Sequence, residues 1–519
     1  MTETAGAVDA PPFRALSDLI REHARARPGG LALLHGQRSL SWQAFDTLVD
    51  RIAATLQRDG VGARESVAVC GANSIEYAAV FIGALRAGVA VAPLPSTALP
   101  AQLAGMAADS GARLVFAGEG APDFNAAVPR IALQAADAGA AARPLEDWLL
   151  PAGTRPRRVE PEPDWPFNII YSSGTTGTPK GIVQSHGMRW LHVARSAQQG
   201  YGPDAVALLA TSLCSNTTLV CFFPALAHGG TVVLSEGRFD PAAYLALAER
   251  VRATHAMLVP VQYQRLMAWP AFDCHDLSSF RMKFCTSAPF SAALKADVLA
   301  RWPGGLIEYY GMTEGGGTCV LQAHLHPDKL HTVGQPAEGH DIRLIDEQGG
   351  ELPAGATGEI VGRSGAMMTG YHGLPQKTLE AEWRDAEGRR YIRTGDVGRF
   401  DADGFLTLLD RRKDVVISGG FNIYPSDLEA VLRGHPALAD VAVVGVPSQQ
   451  WGEAPVAYAV LHAGQVLAPA ALRDWANERL GKTQRLADVR LVEALPRSDI
   501  GKVLKRELRE RYRPAVDPS

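Results

Sequence analysis

The residues best equipped for chemistry lie in Tyr171-Ser172-Ser173-Gly174-Thr175-Thr176-Gly177-Thr178-Pro179-Lys180-Gly181. They follow the apolar pair Ile169-Ile170, which reads as the end of a strand. Glycines let a backbone turn tightly and approach an anion closely. Exposed N–H groups and hydroxyls can then hold phosphate oxygens, and a lysine adds positive charge. The stretch reads as the triphosphate loop of an ATP-using enzyme. It differs from the common GxxxxGK[ST] loop, because Lys180 follows Pro179 and precedes Gly181.

A second cluster is Tyr309-Tyr310-Gly311-Met312-Thr313-Glu314-Gly315-Gly316-Gly317-Thr318. A tyrosine face can stack on a base, a threonine hydroxyl can hold a phosphate oxygen, and a carboxylate can coordinate the magnesium carried by ATP. The successive glycines leave room for a ligand against the backbone; the other reading is a flexible surface loop. In Arg393-Thr394-Gly395-Asp396 an aspartate follows a tight turn, where it could accept from two ribose hydroxyls. Arg411 could reach the same sugar or the phosphate. Both could equally be ordinary turn or salt-bridge residues. Near the C-terminus, Pro496-Arg497-Ser498-Asp499-Ile500-Gly501-Lys502 sets a lysine just after a glycine turn, at the head of a basic tail with Lys505 and Arg506. A solvated lysine is the plainer reading of Lys502 taken alone.

The elements that must position these groups alternate. Helical spacing over Phe13 to Ala26, Trp42 to Gln57 and Ser74 to Ala87 is interleaved with strand-like runs. Those runs are Leu31 to Leu34, Arg38 to Ser41, Ser66 to Val69, Gly88 to Leu94, Leu114 to Phe116, Thr231 to Leu234 and Ala256 to Val259. This predicts α/β layering with substantial parallel sheet. After about residue 335 short strands and glycine turns predict a β-rich subdomain, with strands over 341–346, 358–362 and 404–409. The charged run Asp410 to Asp414 then reads as a solvated turn. A small α+β domain follows, with helices over 426–433 and 469–480 and strands over 439–446 and 456–461. The hinge is placed near Lys413, dividing the chain into 1–412 and 413–519.

The bulk properties narrow the function classes. With 46% hydrophobic residues, the 519-residue chain can build more than one core. Its 51 basic and 55 acidic side chains give a net charge of -4, with no hint of a nucleic-acid partner. Six cysteines with no CxxC pair are no disulfide framework. Cys214, Cys285 and Cys319 read as buried inert thiols or as pocket lining. The first residues carry Glu3 and Asp9 and no apolar signal core, and the most apolar runs are too short to span a bilayer. A cytoplasmic location without stable membrane insertion is expected, and a homodimer is the default state.

Together the motifs resemble the adenylate-forming superfamily of acyl-CoA and aryl-CoA synthetases, peptide-synthetase adenylation domains and luciferases. The resemblance covers roughly residues 15–515 in order. It rests on 171–181, on Tyr310-Gly311-Met312-Thr313-Glu314, on Thr394-Gly395-Asp396, on Arg411 with Lys413-Asp414 and Ser418-Gly419-Gly420, and on Pro496-Arg497 with Gly501-Lys502. It implies a large N-terminal domain of layered sheets with a β-rich subdomain, and a small mobile C-terminal lid hinged at Lys413. It also implies ATP, magnesium and coenzyme A. A carboxylate attacks the α-phosphate of MgATP, releasing pyrophosphate; a thiol then displaces AMP from the acyl-adenylate. By resemblance Ser172, Ser173, Gly174, Thr175, Thr176, Gly177 and Lys180 hold the phosphates, and Glu314 and Thr176 hold magnesium. Tyr310 through Thr313, with Ala288 and Pro289, border the adenine. Asp396 and Arg411 fix the ribose, and Lys502 is the catalytic lysine. Gly419, Gly420 and Trp451 border the thiol channel.

The partner is a small carboxylic acid whose identity the sequence leaves open. Ser212 to Thr218 lacks the histidine many relatives carry there. Asn216 reads either as a helix cap or as a contact to a polar substituent. Phe222, Phe223, Met257 and Tyr263 read as pocket wall or as core. Glycines 315–317 argue for space and so for ring-bearing or branched acids. Seventeen residues follow Lys502, too few for a fused carrier module. A free-standing acid–CoA ligase is therefore expected. The alternatives are a ligase that loads a separate carrier protein, a luciferase-like oxidation, and an inactive nucleotide sensor.

Overall fold

The computed structural model describes residues 12–124, 127–137, 142–172, 180–411, 414–418, 421–448, 451–481, 484–497 and 501–512. The side chains of Ser172, Arg411, Phe421 and Asn422 fall outside that description. The chain forms two compact units: Met1–Ile342 with Gly362–Ile392, and Arg343–Val361 with Arg393–Ser519. The border expected at 412/413 lies inside the second unit.

Among the described residues the first unit holds two large sheets. One runs in the order Gly370–Tyr371, Lys180–Ser185, Pro166–Ser172, Ala90–Leu94, Ser66–Cys70, Ala112–Ala117, Arg130–Ala132 and Arg143–Pro144. The other runs Gln335–Pro336, Cys319–Gln322, Gly305–Tyr310, Met282–Cys285, His255–Leu258, Val206–Leu209, Thr231–Leu234, Leu31–His35 and Arg38–Ser41. Their central pairs are parallel, as the alternating pattern predicts. Antiparallel strands close every edge except the one where Arg143–Pro144 lies parallel to Arg130–Ala132.

Between them lies a core fed by both, including Val67 and Phe116 from one sheet and Leu33, Val232 and Ile307 from the other. The helix Ile75–Arg86 is apolar almost all round and buried almost throughout, as such a sequence must be. Its one buried charge, Arg86, is answered by Asp46 at 2.6 Å and Asp50 at 2.7 Å. Ser74 caps it by accepting from Tyr77 N at 3.1 Å. Phe222, Phe223 and Met257 belong to this core and are at most 2% exposed. Tyr263 is fully buried, with its hydroxyl donating to Phe284 O at 2.9 Å. All four are therefore core residues.

In the second unit, strand Leu406–Arg411 pairs antiparallel with Arg390–Phe400. The charged run expected to be a solvated turn therefore begins inside a strand. Asp410 is half-buried, its side chain only 7% exposed, and accepts from Ser426 N at 3.0 Å beside the helix Pro425–Arg433, and Asp414 takes Arg509 at 2.5 Å. A further sheet runs Phe421–Ile423, Val416–Ser418, Gly452–Leu461 and Leu438–Ser448, with Asp488–Leu491 parallel to Gly452–Leu461. The helices Pro425–Arg433 and Pro469–Asn477 cover a core of Val416, Leu428, Leu432, Val443, Leu472 and Val489. The second helix stops before the expected Leu480.

Among the described residues, no helix is long and apolar enough to cross a membrane. Cys285 and Cys319 are buried and Cys214 is half-buried. Burial pushes the Cys285 and Cys319 thiols well up, which suits inert thiols.

Candidate active site

The strands on either side of the glycine-rich stretch lie side by side. Strands Pro166–Ser172 and Lys180–Ser185 pair antiparallel, with Ser172 opposite Lys180 as the last described pair. Ser173, Gly174, Thr175, Thr176 and Gly177 lie outside the described residues. Lys180 is half-buried at the head of its strand, with its Nζ 4.8 Å from the Tyr371 ring centroid. The Tyr371 hydroxyl donates to Glu314 Oε1 at 2.9 Å. Burial and the Glu314 carboxylate push the Tyr371 pKa up, so its hydroxyl stays a donor. The structure thus joins Lys180 and Glu314, from the two motifs, through a tyrosine that the sequence reading passed over.

The motif around Glu314 is held from behind by a buried polar chain. Gln184 Nε2 donates to Thr313 O at 2.6 Å, Asn168 Nδ2 donates to Gln184 Oε1 at 3.0 Å, and Arg189 Nε donates to Asn168 Oδ1 at 2.9 Å. All three side chains are buried. Burial holds the Arg189 guanidinium down to about 9, and it lies against the faces of Phe167 and Phe223. A neutral amide pair in register across two strands is the sequence-visible part of this chain. Its link to Thr313 depends on long-range folding.

The glycines 315–317 do not provide ligand room. A Cβ on Gly316 would meet Gly362 O at 2.8 Å, and both Gly315 and Gly316 have positive φ, at 79° and 85°. A Cβ on Gly315 would meet Ala366 O, and one on Gly317 would meet Ile342. They are glycines because another stretch of backbone crosses there. Tyr310 is buried, Met312 and Thr313 half-buried and Gly311 exposed at the start of the loop.

Ala288 is half-buried and Pro289 exposed, directly after Ser287. Ser287 holds a φ of 83°, where a side chain is strained. Its hydroxyl meets Thr217 Oγ1 at 2.5 Å, which ties this turn to the helix Asn216–Ala227. That helix is capped by Ser215, accepting from Thr217 N at 3.3 Å, and not by Asn216. Asn216 stands one position inside the helix, and its buried Oδ1 has no hydrogen-bond partner among the described residues. Nearby in the sheet, the Arg195 guanidinium lies 5.3 Å from the Tyr309 ring centroid, and Gln199 donates to the Tyr309 hydroxyl.

In the second unit Asp396 is half-buried, and its backbone is in register with Arg411 across the strand pair. Gly395 has a φ of 68°, and Asp396 N donates to Thr394 Oγ1, which itself donates to Ile360 O at 2.8 Å. Lys502 is half-buried after Gly501. Arg497 donates to Gly501 O and pairs with Asp440 at 2.6 Å. Lys413, Gly419 and Gly420 lie outside the described residues. Trp451 is 52% exposed and Ile417 56%. Ser418 pairs with Gly452, and Glu453 accepts from Ile417 N at 2.9 Å.

Magnesium fits Glu314. It is a hard oxygen donor, its Oε1 is oriented by Tyr371, and it makes no ion pair among the described residues. No group of three or more His, Cys, Asp or Glu suited to a metal occurs among the described residues. One carboxylate suits an ion that keeps most of its ligands as water and phosphate oxygens.

The family model described as "AMP-binding enzyme" matches residues 20–372, and "AMP-binding enzyme C-terminal domain" matches 427–502. A feruloyl-CoA synthase from Amycolatopsis sp is 34% identical, covering 94% of this chain and 97% of that protein. The fatty acid–[acyl-carrier-protein] ligase ScoC of Streptomyces coeruleorubidus is 30% identical, covering 97% of each. Among solved structures, ATP-bound MatB from Rhodopseudomonas palustris superposes with a TM-score of 0.85 at 26% identity, covering 96% of this chain and 99% of that one.

Proposed function

Because the chain belongs to the AMP-binding enzyme family, we propose that it is an ATP-dependent carboxylic acid–CoA ligase that works through an acyl-adenylate. A carboxylate oxygen attacks the α-phosphorus of ATP and the bond to pyrophosphate breaks. A thiol sulfur then attacks the acyl carbon, the bond to AMP breaks and the thiol proton leaves. The first step is needed because a carboxylate is unreactive toward thiols, whereas AMP is a good leaving group.

The roles follow the motifs. Ser172, Ser173, Gly174, Thr175, Thr176, Gly177 and Lys180 hold the phosphates. Glu314 and Thr176 hold magnesium, which when bound neutralises phosphate charge. Tyr310, Gly311, Met312 and Thr313, with Ala288 and Pro289, border the adenine. Asp396 and Arg411 hold the ribose. Lys502 neutralises charge on the carboxylate and α-phosphate during adenylation. Gly419, Gly420 and Trp451 border the thiol channel. The second step follows rotation of a lid, residues 413–519, about Lys413. The observation that carries this reading is the convergence of Lys180 and Glu314 on Tyr371, which brings the phosphate hairpin and the metal motif together.

Pyrophosphate release from MgATP across an acid panel, with and without CoA, tests the reading. Ring-bearing acids head the panel, because the feruloyl-CoA synthase is named for such an acyl group. CoA-dependent thioester formation supports it. Adenylate that only a carrier protein discharges favours the carrier-loading alternative, which the ScoC likeness keeps in view. ATP binding without turnover of any acid contradicts both.

A further inference from the structure

Tyr371 stands between two groups that the proposed reaction needs apart. The Lys180 ammonium lies over its ring, and its hydroxyl holds Glu314 Oε1. Backbone bonds fix the arrangement. Strand Gly370–Tyr371 pairs with Lys180–Ser185, with Tyr371 opposite Ile182. His372 N donates to Gly181 O at 2.7 Å, and Thr369 N donates to Val183 O at 2.9 Å. Met368 N donates to Glu314 O at 2.8 Å, which ties the same segment to the metal motif. Tyr371 N donates to Thr378 Oγ1 at 2.9 Å. The backbone at Tyr371 is therefore fixed by bonds that involve neither the Lys180 ammonium nor the Glu314 carboxylate.

With the ring removed, the lysine over it and the carboxylate at its hydroxyl would be drawn toward an ion pair. Paired, each would be withdrawn from its task, the ammonium from phosphate and the carboxylate from the metal. Among the described residues neither forms an ion pair. We infer that Tyr371 is a positioning residue that keeps Lys180 and Glu314 from pairing and orients Glu314, with Oε1 on its hydroxyl and Oε2 left for magnesium. This rests on the proposed roles of Lys180 and Glu314.

ATP binding to the full chain, measured calorimetrically in EDTA and in excess Mg2+, tests it without turnover. Tyr371→Phe keeps the ring and removes the hydroxyl. It should bind metal-free ATP like the parent, while the affinity gained from Mg2+ falls about fivefold or more. Tyr371→Leu should also weaken metal-free ATP about fivefold or more, as Lys180 turns to Glu314. Adding Glu314→Gln to the leucine variant should restore metal-free binding, because the amide offers no charge to pair. Thermal melts identify any variant that is merely misfolded, and the phenylalanine variant alone then decides. A parent that binds no MgATP overturns the functional reading itself. A parent that binds, with Tyr371→Phe unchanged in both media or weakened equally in both, overturns the role of Tyr371 alone.

Discussion

Asp396 and Arg411, fifteen positions apart in sequence, stand opposite each other in register across the antiparallel strands Arg390–Phe400 and Leu406–Arg411. A register shift between Val397 and Gly398 follows immediately, so the pair sits at an irregular end of the ladder. In the proposed site Asp396 accepts from both ribose hydroxyls. Asp396→Asn should raise the ATP dissociation constant about tenfold or more. It should also erase the preference for ATP over 2′,3′-dideoxy-ATP. Equal discrimination by parent and variant would remove Asp396 from the ribose.

Lys502, next to Gly501 whose carbonyl accepts from Arg497, is assigned to the first half-reaction. Lys502→Ala should slow adenylation by more than about a hundredfold. It should spare most of the thioester step from supplied acyl-adenylate. Rapid-quench assays of each half separate the two, and equal losses would refute the assignment.

The buried chain from Arg189 through Asn168 and Gln184 to Thr313 should matter to stability as well as turnover. Gln184→Leu leaves the Thr313 carbonyl and the Asn168 amide without their partner. Urea unfolding should show a loss of roughly 1–3 kcal/mol. An unchanged midpoint would mean that the network carries little free energy.

Much of this was legible beforehand for a physical reason. Alternating apolar runs such as Thr231–Leu234 fix strands locally, and apolar helices such as Ile75–Arg86 can only be buried. Tyr371 was not legible, because a tyrosine after a glycine carries no spacing signal and acquires its role from pairing with a distant hairpin. Glycines 315–317 misled, because a sequence shows missing side chains but not the crossing backbone at Gly362 and Ala366 that requires them. Asp410 and Asp414 misled likewise, since a charge run looks solvated until Ser426 N and Arg509 answer it.

Acid should destabilise the protein through histidines whose charged form is desolvated. Burial lowers His186, His255 and His340 to about 4, against an unfolded value near 6.5. Between those values the unfolded chain binds more protons, so stability present above about pH 6.5 is lost as the pH falls toward 4. Burial keeps His255 neutral against its bond to Gln199 O, which favours the charged ring; its other nitrogen meets Thr254 Oγ1. Melts from pH 7 to 4 should show a falling Tm, and His255→Gln should flatten the slope. A slope unchanged by that substitution would contradict the account of His255.

The central claim is that the acid oxygen is transferred to AMP. An acid from the panel, labelled with 18O in its carboxylate, should be turned over with MgATP and CoA and the products read by mass spectrometry and 31P NMR. One 18O in the phosphoryl group of AMP, with unlabelled pyrophosphate, is the predicted result. AMP without label, or label in inorganic phosphate alongside ADP, would contradict an acyl-adenylate.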